Sequence, residues 1–171
     1  MRVFLVGFMG VGKTTVGRFL AQRLELPFVD LDEEVEATAG RSVAQIFTQE
    51  GEAGFRELEL AALESVLRRP PAVVATGGGL PAQPKGAELL RSAGTTVWLD
   101  APFELIEQRV CGGDQPPRPL FQDPEGAAEL YRRRLPAYRI ADHHIAVAEG
   151  DAPVALARRI ADRLGDRSCA S

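Results

Sequence analysis

The chain has 171 residues and a mass of 18.5 kDa, room for one domain with a real core. Its 45% hydrophobic and 26% charged residues fit a soluble globular protein, and 20 Lys and Arg against 24 Asp and Glu leave a net charge of −4, which gives no global attraction to nucleic acid or an anionic membrane. Cys111 and Cys169 are too few for a disulfide framework or a zinc site, no apolar run reaches membrane-spanning length and nothing resembles a signal peptide, so the expected compartment is the cytoplasm.

The apolar run Val3–Val6 reads as a buried strand. It is followed at once by Gly7-Phe8-Met9-Gly10-Val11-Gly12-Lys13-Thr14, which fits the G-x-x-x-x-G-K-[ST] phosphate-binding loop. Glycines let successive N–H groups turn inward, and the helix that follows adds the partial positive charge of its N-terminus. Gly10, Val11, Gly12, Lys13, Thr14 and Thr15 are therefore candidate contacts to ATP phosphates. Lys13 is placed for the terminal phosphates and the Thr14 hydroxyl for Mg²⁺. The chain carries 18 Arg and only 2 Lys, so a lysine at this position points to a need for a compact charge that a planar guanidinium does not replace.

Thr15–Leu24 reads as a helix with Val16, Phe19, Leu20 and Leu24 on one face. A second strand, Pro27–Asp30, leads into Asp30-Leu31-Asp32, two carboxylates that can take different jobs: one beside the Mg²⁺ shell, one facing an acceptor hydroxyl. The plain alternative is that Asp32 is a helix N-cap. Helices are expected over Asp32–Ala39, over Val43–Gln49 behind an N-cap at Ser42, and over Glu52–Leu67, where Phe55, Leu58 and Ala62 face the core. In that last helix Arg56 and Glu59 stand three positions apart, so the carboxylate can hold the guanidinium in one pose.

Strand Ala72–Thr76 ends in Gly77-Gly78-Gly79, read either as a tight turn or as a place where a ligand approaches the backbone. Further on come helix Lys85–Ser92, strand Thr95–Leu99 and helix Pro102–Val110. Cys111 to Pro124 has loop composition, with four prolines, two glycines and Arg118, and suits a lid over a triphosphate. Helix Glu125–Tyr138 carries Arg132-Arg133-Arg134, of which at most one is expected to point into a site. Arg109, just before the lid, suits stacking on a planar base. His143 and His144 have no partner at metal spacing and read as structural. Strand His144–Ala148 and helix Ala152–Leu164, with Val154, Ala157, Ile160, Ala161 and Leu164 on its stripe, close the domain, and Asp166–Ser171 reads as a frayed tail. Near-continuous apolar strands alternating with helices give an α/β fold with a parallel sheet covered on both faces. Ligands of such sheets sit beyond the strand ends, where all these unusual residues fall.

The phosphate loop, Asp30-x-Asp32, Phe55-Arg56-x-x-Glu59, Gly77-Gly78-Gly79, Arg118-Pro119-Leu120 and Arg134-x-Pro136-x-Tyr138 together resemble the shikimate kinases in identity, order and spacing. The resemblance covers essentially the whole chain up to the tail. It implies a three-layer α/β/α P-loop fold of the nucleoside monophosphate kinase type, one domain spanning 1–171, a five-stranded parallel sheet in order 2-3-1-4-5, a lid at about 111–124 and a small helical substrate-binding region at about 31–60. It also implies ATP-dependent phosphorylation of the 3-hydroxyl of shikimate by a monomer that needs no nucleic acid or membrane. In that pattern Asp32 faces the hydroxyl, Asp30 supports Mg²⁺, Arg56 and Arg134 clamp the shikimate carboxylate, and Gly77, Gly78 and Gly79 line the ring. Lys13 and Arg118 stabilise the transferring group, and Arg109 and Pro153 flank adenine. Phe121 stands where a second leucine is common, and Ala137 where leucine often precedes the tyrosine. A kinase for another polyol acid, such as gluconate, and a non-catalytic nucleotide-binding module are the competing readings.

Overall fold

The computed structural model describes residues 1–112, 121 and 123–165. Strands β1 (Val3–Val6), β2 (Phe28–Asp30), β3 (Val73–Ala75), β4 (Thr95–Asp100) and β5 (His143–Ala146) form one sheet, all pairs parallel, in the order β2-β3-β1-β4-β5. This is the expected order. β1 lies at the centre with every residue buried, because a strand covered on both faces has no polar side to present.

Helices α1 (Lys13–Leu24), α2 (Leu31–Ala39), α3 (Val43–Leu67), α4 (Pro84–Ala93), α5 (Phe103–Cys111), α6 (Pro124–Tyr138) and α7 (Pro153–Gly165) connect the strands. Gly17 of α1 comes against Leu5, whereas Val6 lies with Ala87 and Leu90 of α4. Successive residues of a strand point to opposite faces, so α1 and α4 cover opposite sides of the sheet and the layering is α/β/α.

Local signals explain the helix ends. Ser42 opens α3 with a capping box, its hydroxyl accepting from the Gln45 N–H while the Gln45 side chain accepts from the Ser42 N–H. The two helices expected between Val43 and Leu67 form one element kinked at Gly51, whose φ of 70° and ψ of −171° lie outside the helical region. The Asp32 cap is corrected: the N-cap of α2 is Asp30, whose Oδ1 accepts from the Asp32 N–H at 3.0 Å, while Asp32 lies in the first turn. A short 3₁₀ turn, Leu80–Ala82, follows the glycine triplet and has no counterpart in the sequence reading.

Two core expectations fail. Phe19 is 40% exposed and Val154 57% exposed. The buried stripe of α1 is Val16, Gly17, Leu20 and Ala21, and that of α7 is Leu156, Ala157, Ile160 and Leu164. Gly17 packs under the Phe28 ring, where a Cβ would come within 2.5 Å, so the close face of α1 is set by a residue with no side chain rather than by Phe19. Phe19 and Val154 line a shallow surface groove with Gln22 and Arg158 instead.

This assignment predicts unequal costs. Leu5→Ala, at a fully buried central position, should lower the free energy of unfolding by about 3 kcal/mol. Val154→Ala should change it by less than ~0.5 kcal/mol. Denaturant titration of both variants checks this; similar losses would mean that Val154 is packed in the core.

Candidate active site

The site is built at the carboxyl ends of β1, β2 and β3. After β1 the chain turns through Gly7–Gly12 into α1. Gly10 has a φ of 80°, and a Cβ there would lie 2.4 Å from the Val110 side chain, so both the backbone and the packing require glycine. The Lys13 ammonium bridges its own loop, donating to the Gly7 carbonyl at 2.8 Å and the Phe8 carbonyl at 2.9 Å. Thr14 Oγ1 donates to Asp30 Oδ2 at 2.6 Å. With Oδ1 engaged at the cap, Asp30 is fixed at the mouth of the loop beside a hydroxyl. Thr15 is exposed at the start of α1.

The second half of the site surrounds the glycine triplet. Glu59, on α3, is 0% exposed. Its Oε2 accepts from Arg56 Nη1 at 2.7 Å and from Gln83 Nε2 at 2.8 Å. Its Oε1 finds no hydrogen-bond partner among the described residues and lies against Gly77, where a Cβ would come within 2.0 Å of it and 3.3 Å of Asp32 Oδ1. A Cβ on Gly79 would meet Arg56 Nη2 at 2.2 Å, and one on Gly78 would lie 3.3 Å from the Gly7 carbonyl and 3.4 Å from Arg134 Nη1. None of the three glycines has positive φ. Gly77 and Gly79 are therefore glycine because the side chains of Glu59 and Arg56 occupy the space where Cβ atoms would stand, while Gly78 is hemmed in more loosely by the phosphate-loop backbone at Gly7 and Met9 and by Arg134. Conformational freedom is not the reason.

Arg134 is the one member of the arginine run that turns inward. It is 9% exposed and its guanidinium lies 5.8 Å from the centre of the Phe8 ring. Arg132 pairs with Glu129 and Arg133 is exposed. One turn further on, Tyr138 Oη donates to the Gly78 carbonyl at 2.5 Å. Phe8 belongs to the phosphate loop and Gly78 to the triplet, so α6 ties the two halves together.

Charge is concentrated here. Burial raises the Glu59 carboxyl above its ordinary range, Arg56 pulls it back, and neighbouring Asp32 pushes it further up. Burial lowers the Arg56 guanidinium, but Glu59 and Glu52 outweigh it and the net shift is upward. Arg134 moves down, first through burial; Tyr138 pulls it up and the nearby Arg56 adds to the lowering. Burial pushes the Tyr138 hydroxyl up to about 12, against the opposing pull of Arg134. The Arg56 and Arg134 guanidiniums lie on either side of the glycine strip, Arg56 paired with Glu59 and Glu52, and Arg134 near the Tyr138 hydroxyl; planar guanidiniums of this kind suit an anion.

On the outer rim Arg109 is exposed and reaches the carbonyls of Val11, at 3.3 Å, and Ala148, at 3.5 Å. It thus spans from the phosphate loop to the loop before α7, which begins at Pro153. Arg118 and most of the expected lid, like the tail 166–171, lie outside the described residues. Gln83 is the one polar partner of the buried carboxylate that the sequence reading passed over; it follows a 3₁₀ turn that no periodicity announces.

A phosphate loop facing a carboxylate-and-guanidinium pocket across the end of a 2-3-1-4-5 sheet defines a P-loop kinase acting on a small anionic acceptor. The family model described as shikimate kinase matches residues 9–165. A shikimate kinase of Persephonella marina is 39% identical over 163 residues, 95% of this chain and 98% of the relative. Among solved structures, a shikimate kinase from Acinetobacter baumannii in complex with shikimate superposes with a TM-score of 0.90 at 38% identity, covering 97% of this chain and 93% of that one. The shikimate kinase of Aquifex aeolicus gives a TM-score of 0.86 at 37% identity, covering 98% of both chains. The chain belongs to the shikimate kinase family, and with it to the ATP-dependent phosphotransferases.

The buried carboxylate makes a signed pH prediction. The native pKa of Glu59 is raised above its ordinary value of 4.5, so the folded protein holds that proton to higher pH than the unfolded chain. Stability from this group is fully present below 4.5 and is lost as pH rises toward the native pKa. Glu59→Gln should flatten that fall, measured as a smaller drop in the denaturation midpoint from pH 4.5 upward. Parallel pH profiles for the two proteins would contradict the assignment.

Proposed function

We propose that this chain transfers the γ-phosphoryl group of ATP to the 3-hydroxyl of shikimate, releasing shikimate 3-phosphate and ADP. The observation that carries this reading is the convergence of Arg56, Arg134 and Asp32 on one strip of glycine backbone that also touches the phosphate loop at Gly7 and Met9. Arg56 and Arg134 hold the acceptor's carboxylate, since planar guanidiniums match a planar carboxylate. Gly77, Gly78 and Gly79 let Glu59, Arg56 and Arg134 come close to the backbone beside the ring. Asp32 accepts a hydrogen bond from the attacking hydroxyl and takes its proton late, because a loose transition state needs positioning and charge neutralisation more than a strong base.

The loop N–H groups from Gly10 to Thr15 cradle the phosphates, and Lys13 exchanges its carbonyl partners for phosphate oxygens. Arg118 comes from the lid at 111–124, and Arg109 and Pro153 flank the adenine. Mg²⁺, when bound, would supply charge neutralisation for the transferring phosphoryl group. Thr14 Oγ1 and Asp30 Oδ2, 2.6 Å apart at the loop, fit that ion, which favours hard oxygens, few carboxylates and retained water. Residues 31–60 serve as the substrate-binding region. Every contact in this scheme comes from one chain, which favours a working monomer. Among the described residues no helix is long and apolar enough to cross a membrane, and we place the reaction in the cytoplasm.

An ADP-release assay with a panel of acceptor acids tests the reaction. Turnover should be fastest with shikimate; faster turnover with gluconate, or no ADP with any acceptor, would overturn it. Lys13→Met should lower kcat by roughly a hundredfold or more, the scale of losing one donor aimed at transition-state charge. Arg56→Ala should raise the KM for shikimate by roughly ten- to a hundredfold, equivalent to ~1.5–3 kcal/mol for a charge-assisted hydrogen bond, while the KM for ATP changes little. Equal losses for both substrates would make Arg56 a purely structural residue.

A further inference from the structure

Gln83 stands where a helix cap is expected and acts elsewhere. It occupies the N-cap position of α4, a place that favours short side chains turned back on the helix, yet its side chain makes no cap bond there. Its Nε2 donates instead to Glu59 Oε2 on α3. The intervening 3₁₀ turn makes this possible: the Ala82 N–H bonds the Gly79 carbonyl and the Gln83 N–H bonds the Leu80 carbonyl, both at 3.1 Å, so the chain doubles back beside the triplet.

We propose that Gln83 is a positioning residue for the acceptor-acid site: gripping Glu59 from the α4 side, it fixes the pose in which Arg56 meets the substrate carboxylate. The inference rests on the assignment of Arg56 to that carboxylate. A carboxylate held by one donor can still swing about its side-chain bonds. Donors from two separate elements, Arg56 on α3 and Gln83 ahead of α4, converge on the same Oε2 and fix its plane. Oε1 is then held against Gly77, and Arg56 lies with Nη2 over Gly79, where it also donates to the exposed Glu52 carboxylate at 3.1 Å. Without Gln83, Glu59 keeps a single donor, and Arg56 is steadied only by that loosened carboxylate and by the exposed Glu52.

The titratable and charged groups around Glu59 are Arg56 on its own helix and Asp32 on α2, with Glu52 of α3 and Arg134 of α6 facing Arg56. Burial and Asp32 favour the protonated form, while Arg56 and Gln83 favour the carboxylate. Losing Gln83 lets Glu59 take up its proton at higher pH, which weakens its hold on Arg56.

The test compares Gln83→Met, which keeps length but removes the donor, with Gln83→Glu, which replaces the donor by an acceptor. Gln83→Met should raise the KM for shikimate roughly three- to tenfold, a modest coupling for one hydrogen-bond network, and leave the KM for ATP within about twofold. The acid limb of kcat/KM for shikimate should move to higher pH. Gln83→Glu should bind shikimate worse still at neutral pH and recover as the pH falls and a carboxyl proton restores a donor. In a Glu59→Gln background the Gln83→Met effect should vanish. Unchanged constants, equal losses for both substrates, or the same loss without Glu59 would each overturn the inference. Arg56→Ala separates the two claims. If it loses shikimate affinity while Gln83→Met does not, only the role of Gln83 falls; if it retains shikimate affinity, both fall.

Discussion

A carboxylate with no solvent exposure, placed at the end of a parallel sheet, is the constraint that the rest of this site answers. Glu59 cannot sit at the base of the pocket without donors, and Arg56 and Gln83 provide them on one oxygen. The other oxygen needs room, and Gly77 provides it by having no Cβ. Fixing Arg56 in turn fills the space above Gly79, and Arg134 fills the space beside Gly78. The triplet is thus a steric answer to two side chains, at Gly77 and Gly79, and to the phosphate-loop backbone, at Gly78. Any of the three glycines replaced by alanine would push on a group within the pocket.

The phosphate side obeys a different rule. There the backbone does the work, through loop N–H groups and a helix N-terminus, and side chains contribute one compact ammonium and one hydroxyl–carboxylate pair. The two halves meet through α6. Arg134 lies by the Phe8 ring and Tyr138 holds the Gly78 carbonyl, so α6 braces a contact that the paired strands β1 and β3 already bring together. A net charge of −4 spread over the chain, with cations gathered on this rim, lets an acidic protein attract two anionic substrates to one place.

Much of this was legible beforehand, for physical reasons. Apolar strands that must be covered on both faces announce themselves, and the glycine-rich loop has few other uses. The arginine run was read as contributing at most one inward member, and Arg134 alone of the three is buried, because three adjacent helical positions cannot share a face. Phe19 and Val154 misled because periodicity identifies a face without showing what lies opposite it. The true contact face of α1 includes Gly17 and Ala21, whose small size lets Phe28 and the sheet come close, and small residues carry no hydrophobic signal. The triplet was read as a turn or a ligand floor, whereas the space it leaves is first used by the protein's own side chains. Gln83 was illegible because the 3₁₀ turn that brings it back to Glu59 is too short to have a period.

Stability does not account for the Arg56–Glu59 pair. Removing two ions from water costs several kcal/mol each, and a well-packed apolar pair of the same volume is commonly neutral or stabilising in such a position. The chain has instead kept a buried acid beside two guanidiniums; Arg134 is lowered first by its own burial and further by Arg56. In the reaction proposed above, the acceptor's carboxylate would take up donors that the protein has already oriented, so the cost of organising the pocket would be met during folding rather than at each binding event. Two guanidiniums and a fixed acid, set in advance around the glycine strip and beside the phosphate loop, suit the acceptor site proposed above.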